Sequence, residues 1–303
     1  MSRVVVTGGA GRLGRSVVTG LQDVGYDVIS VDRVTSPALD AEQVALDLTD
    51  LASTVELFQR LRPEAVVQLA AIAVPFSAPE ETILHVNTTL AYNVVRAGIE
   101  SGAERIAVAG SPTVIGYGSP AGWLPTRLPI DEHEPVSPWN AYALSKYMAE
   151  RLMRMFAEQG VTARLAAFRS CYVIAPEEWA GAPTQQGHTV LQRLDDPTLS
   201  APALFNYVDA RDVAGFLDVL VQRLGDIPNA QTFFVGAEDA LARKPLAELL
   251  PQFVPGTREL AAGLTGTAPA FSIAKARDIL GWRPEHSWRT ELAATETLRE
   301  TTV

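Results

Sequence analysis

The sequence predicts an α/β fold, a Rossmann-type doubly wound parallel sheet with a small C-terminal substrate-binding lobe. Three observations predict it. Short apolar runs rich in β-branched residues recur through the first two thirds of the chain, separated by stretches of helical spacing. The turn Thr7-Gly8-Gly9-Ala10-Gly11-Arg12-Leu13-Gly14 joins the first apolar run to the first helical stretch. Beyond residue 237 the regular alternation gives way to short helical pieces.

Val4–Val6, Val28–Val31, Ala65–Leu69 and Ile106–Ala109 read as strands buried on both faces, because they are continuously apolar rather than alternating. Between them Arg15–Val24, Leu51–Leu61 and Glu80–Ser101 carry helical spacing. A helix ending at Gly160 precedes a strand at Ala163–Phe168. A strand at Phe205–Val208, a helix at Ala210–Leu224 and a strand at Thr232–Val235 follow. Residues 1–170, with 205–236 returning to them, are expected to form the dinucleotide-binding domain. Residues 171–204 and 237–303 are expected to form the lobe.

Composition narrows the function. The 303 residues are 47% hydrophobic and 20% charged, which is ordinary for a globular chain. A net charge of −10 without a basic tract disfavours nucleic acid as a partner. Cys171 stands alone, and His85, His133, His188 and His286 lack ligand spacing, so neither an intrachain disulfide nor a metal site is expected. No apolar run approaches the ~20 residues of a membrane span. The first residues do not read as a signal peptide, so a cytoplasmic location and a small-molecule partner are expected.

The glycine turn is spaced Gly-x-x-Gly-x-x-Gly, at Gly8, Gly11 and Gly14. After a buried strand and before a helix N-terminus, glycines let the backbone approach a pyrophosphate, and first-turn N–H groups face it. Asp32 closes the second strand, where a carboxylate accepts hydrogen bonds from ribose hydroxyls and repels a 2′-phosphate. This favours NAD. Arg12 and Arg33 leave NADP open, because either guanidinium is able to pair with that phosphate. Asp47 and Leu48, after a third short strand, are candidates for the adenine edge.

Tyr142 and Lys146 are four apart on a helix that Ser137 and Pro138 are expected to start, so both project from one face. Bringing a phenol from a pKa near 10 to neutrality takes about 4 kcal/mol, which a nearby ammonium and an oxidised nicotinamide are able to supply. Ser111 lies just beyond the strand Ile106–Ala109, where its hydroxyl would hold a substrate oxygen against Tyr142.

In these segments the chain resembles the short-chain dehydrogenase/reductase superfamily in its extended branch, the NAD-dependent epimerase/dehydratase family. Thr7–Gly14 matches the glycine motif, Leu69-Ala70-Ala71 resembles the cofactor-contacting segment after the fourth strand, and Ser111–Gly116 resembles Ser-x-x-Val-Tyr-Gly. Tyr142 and Lys146 match the catalytic pair. Phe205–Ala214 and Leu280–Pro284 resemble later family segments. The resemblance implies hydride transfer at a secondary alcohol or ketone, with Tyr142 as acid/base, Lys146 tuning it and Ser111 orienting the substrate. It also implies a cofactor-side role for Asn87, and a homodimer formed through helices Glu80–Ser101 and Pro138–Gln159. Ala91, Val94, Val95, Met148, Leu152 and Met155 would supply that interface, or else face the chain's own sheet.

Departures from the family pattern bear on the substrate. Pro112 and Thr113 stand where family dehydratases carry Asp and Glu, which argues against dehydration. Tyr172 replaces the Asn of Arg-x-x-Asn-Val-Tyr-Gly-Pro, and Ile115 replaces the Tyr of Val-Tyr-Gly. Arg169-Ser170-Cys171 resembles the counterpart in uronate dehydrogenases. The expectation is therefore an NAD-dependent oxidoreductase acting on a small polyhydroxylated substrate such as a sugar or sugar acid. A nucleotide-sugar epimerase with tightly held NAD is the alternative, and a non-catalytic NAD sensor is a third reading. Ser111, Pro112, Thr113, Ser170, Tyr172 and Arg211 are the substrate-side candidates. Arg211 is equally placed to pair with Asp209 or Asp212. The long segment Ile115–Ser137 reads either as a lid or as an ordinary insertion.

Overall fold

A computed structural model describes residues 2–301, with side chains to residue 294. The chain divides into two compact units. The first comprises Met1–Gly116, Val136–Arg169 and Ala214–Phe233; the second comprises Tyr117–Pro135, Ser170–Val213 and Phe234–Val303.

In the first unit β1 (Arg3–Thr7), β2 (Asp27–Asp32), β3 (Glu42–Ala45), β4 (Ala65–Gln68), β5 (Arg105–Ala109) and β6 (Arg164–Ser170) pair in parallel. The seven-stranded sheet has the order β3-β2-β1-β4-β5-β6-β9, where β9 is Gln231–Val235. The order reverses between β1 and β4, whose ends Thr7 and Gln68 sit side by side in register. In open α/β sheets, ligands bind beyond the carboxyl ends of the strands at such a reversal.

Helices α1 (Arg12–Asp23), α2 (Leu51–Leu61), α3 (Glu80–Glu100) and α4 (Ala141–Glu158) cover the sheet. Val5, Ile29, Val66 and Ile106 of the strands meet Phe58, Val94, Val95 and Phe156 of the helices in one buried cluster. The strands read as uninterrupted apolar runs because both of their faces are buried this way. Val94 and Val95 are therefore core residues, whereas Met148 and Met155 are exposed. Two-thirds of the way along α1, Gly20 makes room for a later helix, α7 (Ala210–Arg223): a Cβ there would lie 2.7 Å from that of Ala214.

Two local expectations are corrected. Helix α4 starts at Ala141, capped by Asn140, whose Oδ1 accepts the Ala143 N–H at 2.9 Å. Ser137 is not the cap. Pro138 biases it toward extended backbone, and its N–H donates to the Val114 carbonyl at 2.9 Å. The expected strand Phe205–Val208 shrinks to β8 (Val208–Asp209), because Leu204 and Phe205 take φ of 50° and 59°. The chain there closes a 3₁₀ turn, with the Phe205 N–H on the Ser200 carbonyl at 3.0 Å.

The second unit is built around β7 (Val173–Ile174), which pairs in parallel with β8. Helices α5 (Pro176–Trp179), α6 (Val190–Asp195), α8 (Leu246–Phe253), α9 (Arg258–Ala261) and α10 (Trp288–Thr301) belong to it. Ile174, Trp179, Leu194, Tyr207, Leu241 and Trp288 form its core. The polar ends of the aromatics are satisfied: Trp179 Nε1 donates to Asp209 at 2.6 Å, Trp288 Nε1 to the Ala240 carbonyl at 2.9 Å, and the Tyr207 hydroxyl to Asp239. The segment 117–135 is tied into this unit. Ile130 exchanges 2.7 Å backbone hydrogen bonds with Ala270 and Ser272, and Glu134 receives the Thr126 hydroxyl at 2.6 Å. Among the described residues no helix is long and apolar enough to cross a membrane.

Candidate active site

At the reversal point of the sheet the glycines of the turn are required by their neighbours. Gly8 adopts φ of +73°, and a Cβ on it would fall 2.7 Å from the Ala70 nitrogen. A Cβ on Gly14 would fall 2.1 Å from the Gly8 carbonyl oxygen. The turn and the Leu69-Ala70-Ala71 segment thus come together at backbone contact distance. The Leu69 N–H on the Thr7 carbonyl at 3.1 Å and Gln68 Nε2 on the Ala70 carbonyl at 2.7 Å hold them there. Helix α1 begins earlier than expected, so Arg12 and Leu13 lie in its first turn. Its N-cap is Gly11, and no side chain caps that terminus.

Asp32 sits against this turn at the end of β2. Its carboxylate accepts the Ala10 N–H at 3.2 Å and the Arg33 N–H at 2.7 Å, which fixes its orientation. Arg33 is exposed. The Asp47 carboxylate accepts the Thr49 N–H at 3.0 Å and hydroxyl at 2.8 Å, and these bonds hold it below its ordinary pKa. Leu48 turns its side chain into the core and gives its carbonyl to Asn93 at 2.9 Å. Buried Asn87 accepts the Ile72 N–H at 2.7 Å and donates to the Ser145 hydroxyl at 3.1 Å. Its carboxamide therefore joins the loop after β4 to the helix that carries Tyr142.

Ser111, Tyr142 and Lys146 are brought together at the carboxyl end of β5. Ser111 caps a 3₁₀ turn at Pro112–Ile115, its hydroxyl oxygen accepting the Thr113 hydroxyl at 2.9 Å. The same hydroxyl acts on the Tyr142 phenol, lowering its pKa. Lys146 Nζ lies 5.9 Å from the Tyr142 ring centre and donates to the Ala109 carbonyl at 3.0 Å. Burial pushes the Tyr142 phenol up from its ordinary value, and the Ser111 hydroxyl works against that rise. Burial pulls the Lys146 ammonium down to about 8, so it is still mostly protonated at neutral pH. The expected lowering of the phenol draws on the ammonium together with an oxidised nicotinamide; within the chain itself desolvation is the larger influence on Tyr142.

Beneath this group lies an ion pair that sequence reasoning missed. Arg169 on β6 meets Glu150 on α4 through Nε and Nη2, both at 2.8 Å, with the two side chains 4% and 7% exposed. Glu150 is one helical turn beyond Lys146, and that spacing was the available signal.

The substrate-side candidates fall into both units. Pro112 is buried and Thr113 half-buried in the first. In the second, Tyr172 donates its N–H to Asn206 Oδ1 at 2.8 Å, and Ser170 ends β6. Arg211 is engaged by Asp209 at 2.9 and 2.6 Å and by Glu291 at 2.8 Å, so the ion-pair alternative describes it.

Comparison with known proteins places this geometry. The model of the NAD dependent epimerase/dehydratase family matches residues 4–236. A UDP-glucose 4-epimerase of Azospirillum brasilense is 31% identical over 160 residues, which is 50% of this chain and 44% of that protein. Less than half of that relative's length is therefore spanned. A UDP-glucose 4-epimerase of Corynebacterium glutamicum is 26% identical over 94% of this chain and 92% of its own. Among solved structures, a short-chain dehydrogenase/reductase superfamily protein from Agrobacterium tumefaciens with bound NAD has a TM-score of 0.72 at 22% identity, covering 99% of this chain and 98% of that one. The UDP-glucose 4-epimerase of Thermotoga maritima, solved with UDP-glucose, has a TM-score of 0.73 at 20% identity, covering 99% and 100%. These structures share its fold.

Proposed function

The chain belongs to the NAD dependent epimerase/dehydratase family, and from that premise we propose that it is an NAD-linked sugar epimerase acting on a nucleotide sugar. The observation that carries this reading is the Lys146 ammonium, held on the Ala109 carbonyl beside Ser111, 5.9 Å from the ring centre of Tyr142 one helical turn away. The residues fit NAD. A Cβ on Gly8 or Gly14 would run into backbone, no side chain caps α1, and Asp32 is anchored where a ribose would be recognised. Gly8, Gly11, Gly14 and Asp32 would hold NAD, with Leu69–Ala71 alongside. The chemistry that NAD supplies when bound is acceptance and return of a hydride.

The protein's own groups handle the proton. Ser111 orients the reacting hydroxyl, and Tyr142 removes its proton as the carbon is oxidised. Tyr142 then gives the proton back when the carbonyl is reduced from its other face. A phenol pushed up by burial becomes a base only where positive charge gathers beside it, and Lys146 is the cation this chain provides. Its bond to the Ala109 carbonyl keeps the ammonium at the strand end. General acid–base transfer of this kind contributes about 10²–10⁴-fold in rate.

A second reading is net oxidation of a free sugar or sugar acid. Tyr172 favours it, standing where nucleotide-sugar enzymes of the family carry Asn. One experiment separates the two. Purified protein with NAD is given nucleotide sugars, free aldoses and uronic acids, and both NADH absorbance and isomer composition are followed. Isomer conversion without accumulating NADH, abolished in Tyr142→Phe, supports the epimerase. Accumulating NADH from a free sugar or sugar acid overturns it in favour of the dehydrogenase.

A further inference from the structure

Among the described residues, three side chains of the second unit carry buried polar atoms without a hydrogen-bond partner: the Tyr172 hydroxyl, Arg193 Nε and Asn206 Nδ2. They form one cluster. The Arg193 guanidinium lies over the Tyr172 ring, 4.2 Å from its centre, and Asn206 Oδ1 accepts the Tyr172 N–H at 2.8 Å. The Val208 N–H on the Tyr172 carbonyl at 2.9 Å ties the residue to the start of β8. Arg193 is 1% exposed and Asn206 3%.

The arginine is held from several directions. Thr189 and Gln192 form a capping box at the start of α6, and the Ser200 hydroxyl donates to the Arg193 carbonyl at 3.0 Å. Its Nη1 donates to Gln186 Oε1 at 2.6 Å, which is a neutral acceptor. Among the described residues no carboxylate pairs with it. Buried Glu178 acts on its charge from a distance, while one Glu178 oxygen accepts the Ala175 N–H at 3.1 Å. A guanidinium buried with no counter-ion in contact is a costly arrangement, and so is each orphaned donor.

The chemistry of the orphans identifies what would relieve that cost. Arg Nε and Asn Nδ2 only donate, and a tyrosine hydroxyl is able to donate. A group that satisfies all three must accept several hydrogen bonds, and the cation among them calls for negative charge. We propose that Arg193, Asn206 and Tyr172 form a subsite for an oxyanion of the substrate, the phosphate of a nucleotide sugar or the carboxylate of a sugar acid. The identity of the molecule bearing that oxyanion rests on reading the chain as a sugar-converting enzyme. The oxyanion subsite itself rests on the cluster. Arg193, buried on the short helix α6, thereby takes the anion-recognition role that Arg211 is too engaged to fill.

The test is calorimetric titration of UDP, inorganic pyrophosphate and glucuronate into the NAD-saturated wild type, Arg193→Met and Tyr172→Phe, with melting temperatures recorded without these ligands. At least one probe is expected to bind the wild type. Arg193→Met should raise its Kd by about tenfold or more, the scale of one charge-assisted hydrogen bond. Tyr172→Phe should also weaken binding while leaving the ligand-free melting temperature unchanged or higher, since it removes an orphaned hydroxyl; a purely packing role would not produce that split. UDP and pyrophosphate binding without glucuronate assigns phosphate, and the reverse assigns carboxylate. Absence of binding by all three probes, or equal binding by wild type and both variants, overturns the inference. Turnover separates this from the reading above. Tyr142-dependent conversion with a KM indifferent to Tyr172→Phe would sink the subsite alone, whereas Arg193-dependent binding without any turnover would sink the sugar-converting reading alone.

Discussion

Arg169 and Glu150 meet in a bidentate pair directly beneath Gly110, the residue that leads from β5 into Ser111. A Cβ on Gly110 would lie 2.9 Å from Glu150 Oε1 and 3.3 Å from Arg169 Cγ. The pair therefore supports the backbone that presents Ser111, and it shares α4 with Tyr142 and Lys146. Removing one partner of a buried pair costs about 3–5 kcal/mol, because the other charge is left stranded. Glu150→Leu should lower stability by that amount and reduce kcat. Glu150→Leu with Arg169→Met should recover most of the stability. Urea denaturation of the three proteins checks this, and equal stability of single and double variants would refute it.

Gly14→Ala should damage the cofactor site specifically. The added methyl meets the Gly8 carbonyl oxygen, a backbone atom that moves only if the turn moves. Overpacking of this kind costs about 1–3 kcal/mol. NAD affinity, followed by quenching of protein fluorescence, should fall more than tenfold, a loss of over about 1.4 kcal/mol.

Tyr142→Phe should lower turnover by about 10²–10⁴-fold, the contribution of a positioned acid/base. NAD affinity should be preserved, because Lys146 remains bonded to the Ala109 carbonyl. Ser111→Ala should raise the apparent pKa of the rate profile, since Ser111 is the influence that lowers the phenol. A profile identical to wild type would remove Ser111 from that role.

Lys146 gives stability a pH dependence of defined sign. Burial lowers its folded pKa from 10.5 to about 8. Between those values the unfolded chain holds the proton and the folded chain does not, so this group makes stability rise with pH across that window. Below the window both states are protonated, and the full cost of burying the charge is present. Lys146→Met should abolish that rise, which guanidinium titrations at pH 7.5 and pH 10 would measure.

His286 acts with the opposite sign. Its Nδ1 lies 2.8 Å from Asp212 Oδ1, and that contact raises its pKa above 6.5. The stability it contributes is fully present below pH 6.5 and is lost as pH rises through the raised folded value. Asp212 also accepts the N–H groups of Glu285 and His286 at 2.9 and 3.1 Å, so the contact holds the approach to α10. His286→Gln should flatten this limb, and urea midpoints at pH 5.5 and 8.5 would read the difference.

The elements that position the cofactor side were legible because their signals are local. Uninterrupted runs such as Val4–Val6 betray two-sided burial, and Gly8 stands where a tight turn needs it. Tyr142 and Lys146 share a face through spacing alone. What was not legible depends on contacts distant in sequence. Phe205 reads as the start of a strand, but a turn closed from Ser200 bends it out of extended backbone. Ser137 reads as the cap, but its link to Val114 holds it outside the helix and Asn140 caps it instead. The roles of Arg193 and Asn206 were not legible, because it is tertiary burial that orphans their donors.

Each compact unit is assembled from three separate stretches of chain that alternate along the sequence. No single cut releases either one. A C-terminal truncation after residue 233 cuts into β9 and removes α8, α9 and α10 but leaves 117–135 and 170–213 behind as insertions. Limited proteolysis, domain grafting and expression of a minimal cofactor-binding fragment all meet the same obstacle: neither unit is a continuous piece of chain that can be lifted out whole.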